Sequence, residues 1–423
     1  MKAFAACLAL AVLATACSSG GGEAKPGEKV ELTMSVWGGK EDEATYTKRL
    51  ALVHQKYPDI TVKLEYTPGS NDYDQKIQTA LAGRKGPDIM EFAENIHVFS
   101  SKNQLAPLDD YVAKAKLDVA ARFGDKVPAQ YQRDGKTYAL PDRSGAMVLY
   151  YNKKLFDAAG VKYPSAEWTW TDFRAAAQKL TARDGDKIKT YGFAAGNWWP
   201  WWMTFMKQNG GDIVDASGKP VVNSPANVEA LKFYNDLVYV DKVAPSPTDY
   251  ANLGKDIGPD PLFAQGKTAM QLTGFWNIGS LKKTPDVDWD IAPLWKGKQP
   301  ATVAFGNGLS VNANSKNKDA AFKVIDFLTS EEGQKPIVEN NQDAPANLAL
   351  LGNDAFLKSA PGKNMGAFKE SAAMLYSPPI GPHWNEMQKV FDDALGPFFQ
   401  NKADAQATLD RVQTELQALL GTG

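Results

Sequence analysis

From residue 30 onward the apolar positions switch between two periods. Residues 30–37 alternate apolar and polar side chains, which predicts a strand that stops at Gly38-Gly39. Over 41–56 the spacing becomes helical, with Tyr46, Leu50, Val53 and Tyr57 on one side. Alternation returns over 60–66, a second helical stretch covers 73–82 up to Gly83, and 87–92 is a short apolar strand. Strand, helix, strand, helix, strand is the α/β pattern of a parallel sheet. Ligands of such sheets collect beyond the carboxyl ends of the strands, so Trp37 to Gly39 and Phe92 to Asn95 become candidate site positions.

The same two periods run through the rest of the chain. Residues 135–156 read as a strand, a turn containing Pro141 and Gly145, and a long apolar strand ending in Tyr151-Asn152-Lys153. A helix is predicted over 171–180, capped by Thr169 or Thr171 and preceded by Trp168 and Trp170. Another covers 228–238. A buried strand over 268–272 runs into Gly274-Phe275-Trp276-Asn277, and 287–294 is a further strand. Residues 302–305 and 309–311 read as two strands joined by a tight turn at Gly306-Asn307-Gly308. A helix follows over 320–328, and the tail 383–420 is largely helical with an interruption at Gly396-Pro397. No repeat period is visible.

One stretch stands outside both periods. Asn197-Trp198-Trp199-Pro200-Trp201-Trp202 places four indoles in five positions. Neighbouring side chains fan around a helix or alternate across a strand, so these rings cannot all enter one core. Some are expected to line a cleft. Flat apolar faces with a single N–H donor suit a sugar, which offers C–H faces and hydroxyl edges. The competing reading is a cluster that packs two lobes together. Composition leans toward the first, since the chain carries 11 Trp and is 11% aromatic.

Charge and metal chemistry narrow the field. A formal net charge of −2 over 423 residues points to no nucleic-acid partner. His54, His97 and His383 lie far apart and no His/Cys cluster shows metal spacing, so no metal or cofactor is expected. Residues 1–16 read as an export signal: Lys2, an apolar run through Leu13, then Ala14-Thr15-Ala16 before Cys17. Residues 17–29 form a Ser/Gly-rich tether. Cys7 would leave with the signal, and a lone exported thiol at Cys17 suits lipidation.

Several ordered blocks resemble the extracellular solute-binding proteins of ABC importers, sugar-binding family 1, the maltose-binding-protein-like group. They are Gly86-Pro87-Asp88-Ile89; Leu140-Pro141 with Leu149-Tyr150-Tyr151-Asn152-Lys153; Phe263-Ala264-Gln265-Gly266-Lys267-Thr268-Ala269-Met270; Gly274-Phe275-Trp276; and Asn314-Ser315-Lys316-Asn317-Lys318-Asp319-Ala320-Ala321 through Phe327-Leu328-Thr329-Ser330-Glu331-Glu332-Gly333-Gln334. Leu13-Ala14-Thr15-Ala16-Cys17 resembles a lipobox, with its Leu one place early. The resemblance implies an α/β, two-lobed periplasmic-binding-protein fold of type II, each lobe a mostly parallel sheet flanked by helices, joined by three crossovers. These crossings are expected near 141–145, 301–307 and 344–348, giving lobe 1 as 30–141 plus 307–344 and lobe 2 as 146–301 plus 348–423.

The resemblance also implies ligand contacts at Trp37, Gly38, Phe92, Asn95, Asp142, Arg143, Ser144, Trp198, Trp199, Trp202, Trp276, Asn277, Asn307, His383 and Trp384. Asn95, Gly145 and Trp198 stand where maltose-binding protein has acidic groups, which speaks against maltose itself. Pairing of Asp142 and Arg143 with each other is the equal alternative, while Trp168, Trp170, Trp289 and Trp295 read as packing residues. The expected partners are a carbohydrate, the transmembrane subunits of an ABC permease, and a membrane reached through lipidated Cys17 at the cell surface or in the periplasm. A monomer is expected.

Two other functions compete with this one. A glycoside hydrolase needs two carboxylates roughly 5–10 Å apart in the cleft, and the aromatic loops offer indoles and amides instead. No Gly-x-Ser-x-Gly elbow is present, so the chain is not expected to be an enzyme. A binding protein for another solute, such as a phosphorylated polyol or a peptide, remains the alternative, with Arg143 as the cation that would take a phosphate or carboxylate.

Overall fold

A computed structural model describes residues 29–254 and 257–421. The expected signal, Cys17 and all of the tether before Lys29 lie outside them.

The first lobe grows from the strand Val30–Gly38. It pairs in parallel with Ile60–Pro68 along its whole length, from Val30 opposite Ile60 to Gly38 opposite Pro68. On its other side Met34 and Ser35 lie beside Ile89 and Met90 of the strand Ile89–Phe92. The alternation in the sequence has a direct cause: Leu32, Met34 and Val36 enter a core with Tyr46 and Val53 of the helix Lys40–Lys56 and with Phe322, Val324 and Ile325 of the helix Lys318–Leu328. Trp37 and Asn95 therefore both fall at carboxyl ends of strands, where the α/β pattern places a ligand.

The second lobe is built on Val148–Asn152, flanked by Met270–Thr273 and Trp289–Ala292. Both neighbours run antiparallel to the central strand, so this sheet departs from the mostly parallel arrangement expected. Helices cover it on two sides. One core holds Phe173, Trp295, Phe205 and Phe391; another holds Phe263, Phe275, Phe356 and Phe368. The helix Trp170–Leu180 starts where the sequence places it, because the Thr169 hydroxyl accepts from the Asp172 amide and the Asp172 carboxylate accepts in return. Trp168, Trp170, Trp289 and Trp295 are packing residues, with Trp295 stacked on Phe173 at 3.7 Å.

Three chain segments pass side by side between the lobes. Thr302–Val311 pairs antiparallel with Leu140–Ala146 from Ala304 opposite Ala146 to Leu309 opposite Leu140, and its far end pairs with Ile89–Phe92. Ser144 N donates to Ala344 O at 3.1 Å, and Arg143 bridges to Pro345. The tight turn expected at Gly306-Asn307-Gly308 does not form. The strand continues through it with a register shift between Asn307 and Gly308. The glycines serve close approach instead of a turn: a Cβ at Gly306 would collide with the Arg143 backbone, and one at Gly308 would lie 2.8 Å from Tyr131 Cε1. The tail also differs, since the helix Trp384–Phe399 includes Pro397 and ends only at Gln400.

Candidate ligand-binding site

Pro200 at the start of the helix Trp199–Gln208 sorts the four indoles. Its fixed φ suits the first helical turn, so the helix begins at Trp199 with Trp198 as its cap. Residues three apart then share a side. Trp199 and Trp202 turn inward, and Trp198 and Trp201 face the other way. Trp202 is 1% exposed, packs on Phe391 at 5.0 Å and donates its Nε1–H to Asn197 O. It is a core residue, not the ligand contact expected. Trp198 is 40% exposed. Its ring meets Trp199 at 6.2 Å, Trp201 at 5.8 Å and Trp276 at 6.0 Å, all edge to face.

Trp276 reaches this group from a distant part of the chain, just past the carboxyl end of Met270–Thr273. Its ring lies across Gly274, where a Cβ would come within 2.5 Å of three ring carbons. Asp260 accepts a hydrogen bond from the Trp276 side chain, while burial pushes the Asp260 carboxyl above its ordinary range. Trp384, from a third part of the chain, meets Trp199 edge to face at 5.3 Å. Trp199 and Trp384 are themselves largely buried and back the cluster from behind. His383 is exposed at the cap of the Trp384–Phe399 helix. Asn277 is buried. Once the Gln271 amide is turned to suit its neighbours, Gln271 Oε1 accepts from Asn277 Nδ2 at 2.6 Å, so Asn277 is a strut and not a contact.

The first lobe presents a different chemistry. Trp37 is half-buried against Tyr73, with ring centroids 4.9 Å apart. Gly38 has φ of 145°, and its carbonyl accepts from the Tyr66 hydroxyl. Asn95 is hydrogen-bonded to Asp74, whose carboxyl burial raises. Burial also pushes the neighbouring Glu94 up to about 7, with Asp74 adding to the effect. Asp74, Glu94 and Asn95 together give carboxylate and amide groups that can hold hydroxyls. Phe92, expected beside them, is 1% exposed and packs on Phe99 at 4.9 Å. It belongs to the core, in one cluster with Tyr73, Ile77 and Ile96.

At the crossings, Asp142 and Arg143 do not pair with each other. Asp142 is fully buried against Arg49, with Arg49 Nη1 2.9 Å from Asp142 Oδ2 and the Tyr46 hydroxyl also at 2.9 Å. Arg143 answers three carboxylates: Glu91, Asp42 at 3.3 Å and Asp343 at 3.8 Å. Asn307 Nδ2 donates to Glu91 Oε1 at 2.8 Å, and Ser144 is held through its backbone by Ala344. This network spans all three crossings. It makes Asp142 and Arg143 structural residues of the junction, and Asn307 and Ser144 its partners. Asp42, which reads as part of a solvated Lys40 to Glu43 face, caps its helix and joins Arg143.

Two residues near the site, Asp74 and Asp260, escape the sequence reading. Glu94 falls within the stretch after the third strand and Trp201 within the indole stretch, though neither is singled out there as a contact. Asp74 and Asp260 carry no local signal, because only the fold brings them to Asn95 and Trp276. Among the described residues no group of side chains could hold a metal ion, and no helix is long and apolar enough to cross a membrane.

The sequence profile of the bacterial extracellular solute-binding proteins matches residues 39–335. The chain is 26% identical over 375 residues to the maltotriose-binding protein of Pyrococcus abyssi, covering 85% of this chain and 76% of the other. It is 27% identical over 339 residues to the arabinooligosaccharide-binding protein of Bacillus subtilis, covering 78% of this chain and 76% of the other. Among solved structures, an ABC substrate-binding protein of Listeria monocytogenes in complex with cycloalternan superposes with a TM-score of 0.84 at 30% identity, over 93% of this chain and 100% of that one. Maltose-bound MalE3 of Thermotoga maritima gives a TM-score of 0.77 at 24% identity over 92% of this chain and 99% of that one, which concerns the fold alone.

Proposed function

The chain belongs to the bacterial extracellular solute-binding proteins, and from that premise we propose that it captures an oligosaccharide between its two lobes and delivers it to the permease of an ABC importer. The observation that carries this reading is the joining of Trp198, Trp199, Trp201, Trp276 and Trp384, from three separate parts of the sequence, into one edge-to-face cluster with Trp198 open to solvent. Indole faces take the C–H faces of a sugar. Asp74, Glu94 and Asn95 on the first lobe supply acceptors for its hydroxyls. Of the residues expected to bind, Trp37, Asn95, Trp198 and Trp276 remain the proposed contacts.

The lobes are proposed to rotate about the three adjacent crossings, with lobe 1 as 30–141 plus 307–344 and lobe 2 as 146–301 plus 348–423. A sugar touching both lobes stabilises only the closed arrangement and shifts the population toward it. The reading extends to Cys17 as a lipidation site that holds a single-chain receptor at the membrane surface. The relatives that bind maltotriose and arabinooligosaccharides support the sugar over a charged solute. So does Arg143, which is already neutralised by carboxylates and offers little to a phosphate.

A thermal-shift screen over mono-, di- and oligosaccharides tests the proposal. A ligand at about 100 times its Kd adds roughly 2.7 kcal/mol of stability. At least one neutral oligosaccharide should raise Tm. A rise with phosphorylated or peptide solutes and with no sugar would refute it.

A further inference from the structure

Resting on the oligosaccharide reading above, we propose that the natural ligand carries an apolar substituent beside its sugar rings, and that a cavity in the second lobe next to Trp198 receives it. The cavity measures about 400 Å³, within the range of small-molecule pockets, and has room for an aryl or branched alkyl group. Trp198 forms one wall, and Trp198 also meets Trp276 at 6.0 Å. Trp198 is thus shared by the cavity and the proposed sugar surface, which puts both within reach of one molecule.

The other walls decide the chemistry of the occupant. They include Trp201, Tyr234, Tyr250, Val238 and Pro247. The three aromatic residues among them have their polar atoms engaged inside the protein, which leaves the amides of Asn197 and Asn235 as the remaining polar side chains of these walls. Trp201 Nε1–H donates to Leu272 O at 2.8 Å. The Tyr250 hydroxyl donates to Ala195 O at 2.8 Å. The Tyr234 hydroxyl donates to Gly196 O at 2.7 Å and accepts from Gly196 N at 3.0 Å. A further sugar ring pushed into this space would strip its hydroxyls of water and regain few hydrogen bonds. An alkyl or aryl group gives up no hydrogen bonds and gains the burial of its surface. The site therefore favours a glycoside or an alkylated sugar over an unsubstituted chain of the same length.

The test compares free sugars with their substituted forms by calorimetry on the wild-type chain and on Val238→Phe, which fills the cavity. The probes are maltose, cellobiose and lactose, each paired with its phenyl glycoside, together with the corresponding trisaccharides. In at least one pair the phenyl glycoside should bind about tenfold tighter or more than the free sugar. Val238→Phe should abolish that gain and leave the Kd of the free sugar unchanged, which also shows that the variant is folded. Equal binding of free and phenyl forms overturns the inference while leaving the sugar reading intact. So does a gain for a trisaccharide that Val238→Phe removes, since the cavity would then hold a sugar ring. Binding by no member of any pair overturns the inference, and the sugar reading is then decided by the thermal-shift screen.

Discussion

Adding one methyl group at Gly274 separates the position of the Trp276 ring from its mere presence. A Cβ there would come within 2.5 Å of three carbons of the indole, and carbon atoms in contact sit about 3.5–4.0 Å apart. The nearest of the three would sit only 1.9 Å from the Cβ, so the ring must move outward by about 1.6 Å or more. It can do so, because Trp276 is only half-buried and its far edge borders Trp198, not a closed core. Gly274 has no positive φ, so alanine fits the backbone and recovers about 0.4–1 kcal/mol through the unfolded state. Against this stand the hydrogen bond from Trp276 to Asp260, about 1 kcal/mol, and the edge-to-face contact with Trp198, about 0.5–1.5 kcal/mol. Net stability should fall by no more than ~2 kcal/mol. Sugar affinity should fall far more, by about 100-fold, since a stacking face displaced by an ångström no longer meets its ligand. Calorimetry and thermal unfolding on Gly274→Ala and Trp276→Ala give the comparison: both should lose binding to a similar degree and both should remain folded. Wild-type affinity in Gly274→Ala would refute the assignment of Trp276 as a ligand-stacking residue. Failure of Trp276→Ala to fold would make it a core residue instead.

Two further outcomes follow from the charge network at the crossings. Arg49→Met leaves Asp142 buried without its cation and should cost about 3–5 kcal/mol in urea unfolding; a loss below 1 kcal/mol would show that the pair contributes little. Burial pushes the Asp343 carboxyl up to about 7, against the pull of Arg143 and with Asp42 and Glu91 adding to the rise. Its folded value thus exceeds its unfolded one, so the associated stability is complete below about pH 4 and is lost as pH rises through about 7. With the side chain 19% exposed, about 1–2 kcal/mol is expected between those limits, and Asp343→Asn should flatten that part of the stability profile. An unchanged profile would remove Asp343 as its source.

Much of this architecture is legible in the chain, and the failures have identifiable causes. The first three strands and two helices sit where alternation and helical spacing place them, because the first helix packs into the core of Leu32, Met34 and Val36 and the second, through Tyr73, Ile77 and Leu81, into the core of Met90 and Phe92. The indole stretch was only half legible. Fanning of the rings follows from any helix, but choosing which pair points outward needs the helix start that Pro200 sets. Gly306-Asn307-Gly308 misleads because glycine has two uses, and here the close approach of Leu140–Ala146 decides, not the turn. Asp142 and Arg143 are adjacent in sequence, yet successive strand residues point to opposite faces, which sends each to different partners. Asp74 and Asp260 stay invisible because their neighbourhood is assembled from segments far apart along the chain.

Trp201 and Trp276 share one further property. Each indole lies against main chain, at Gly196 and Gly274 respectively, where a Cβ would press within 2.7 Å of three ring carbons. Peptide groups cannot be exchanged by mutation, so drift among the surrounding side chains leaves the tilt of both rings nearly unchanged. Ligand preference in this protein can accordingly diverge through the groups around the aromatic floor while the floor itself stays put, until a single glycine codon gains a methyl.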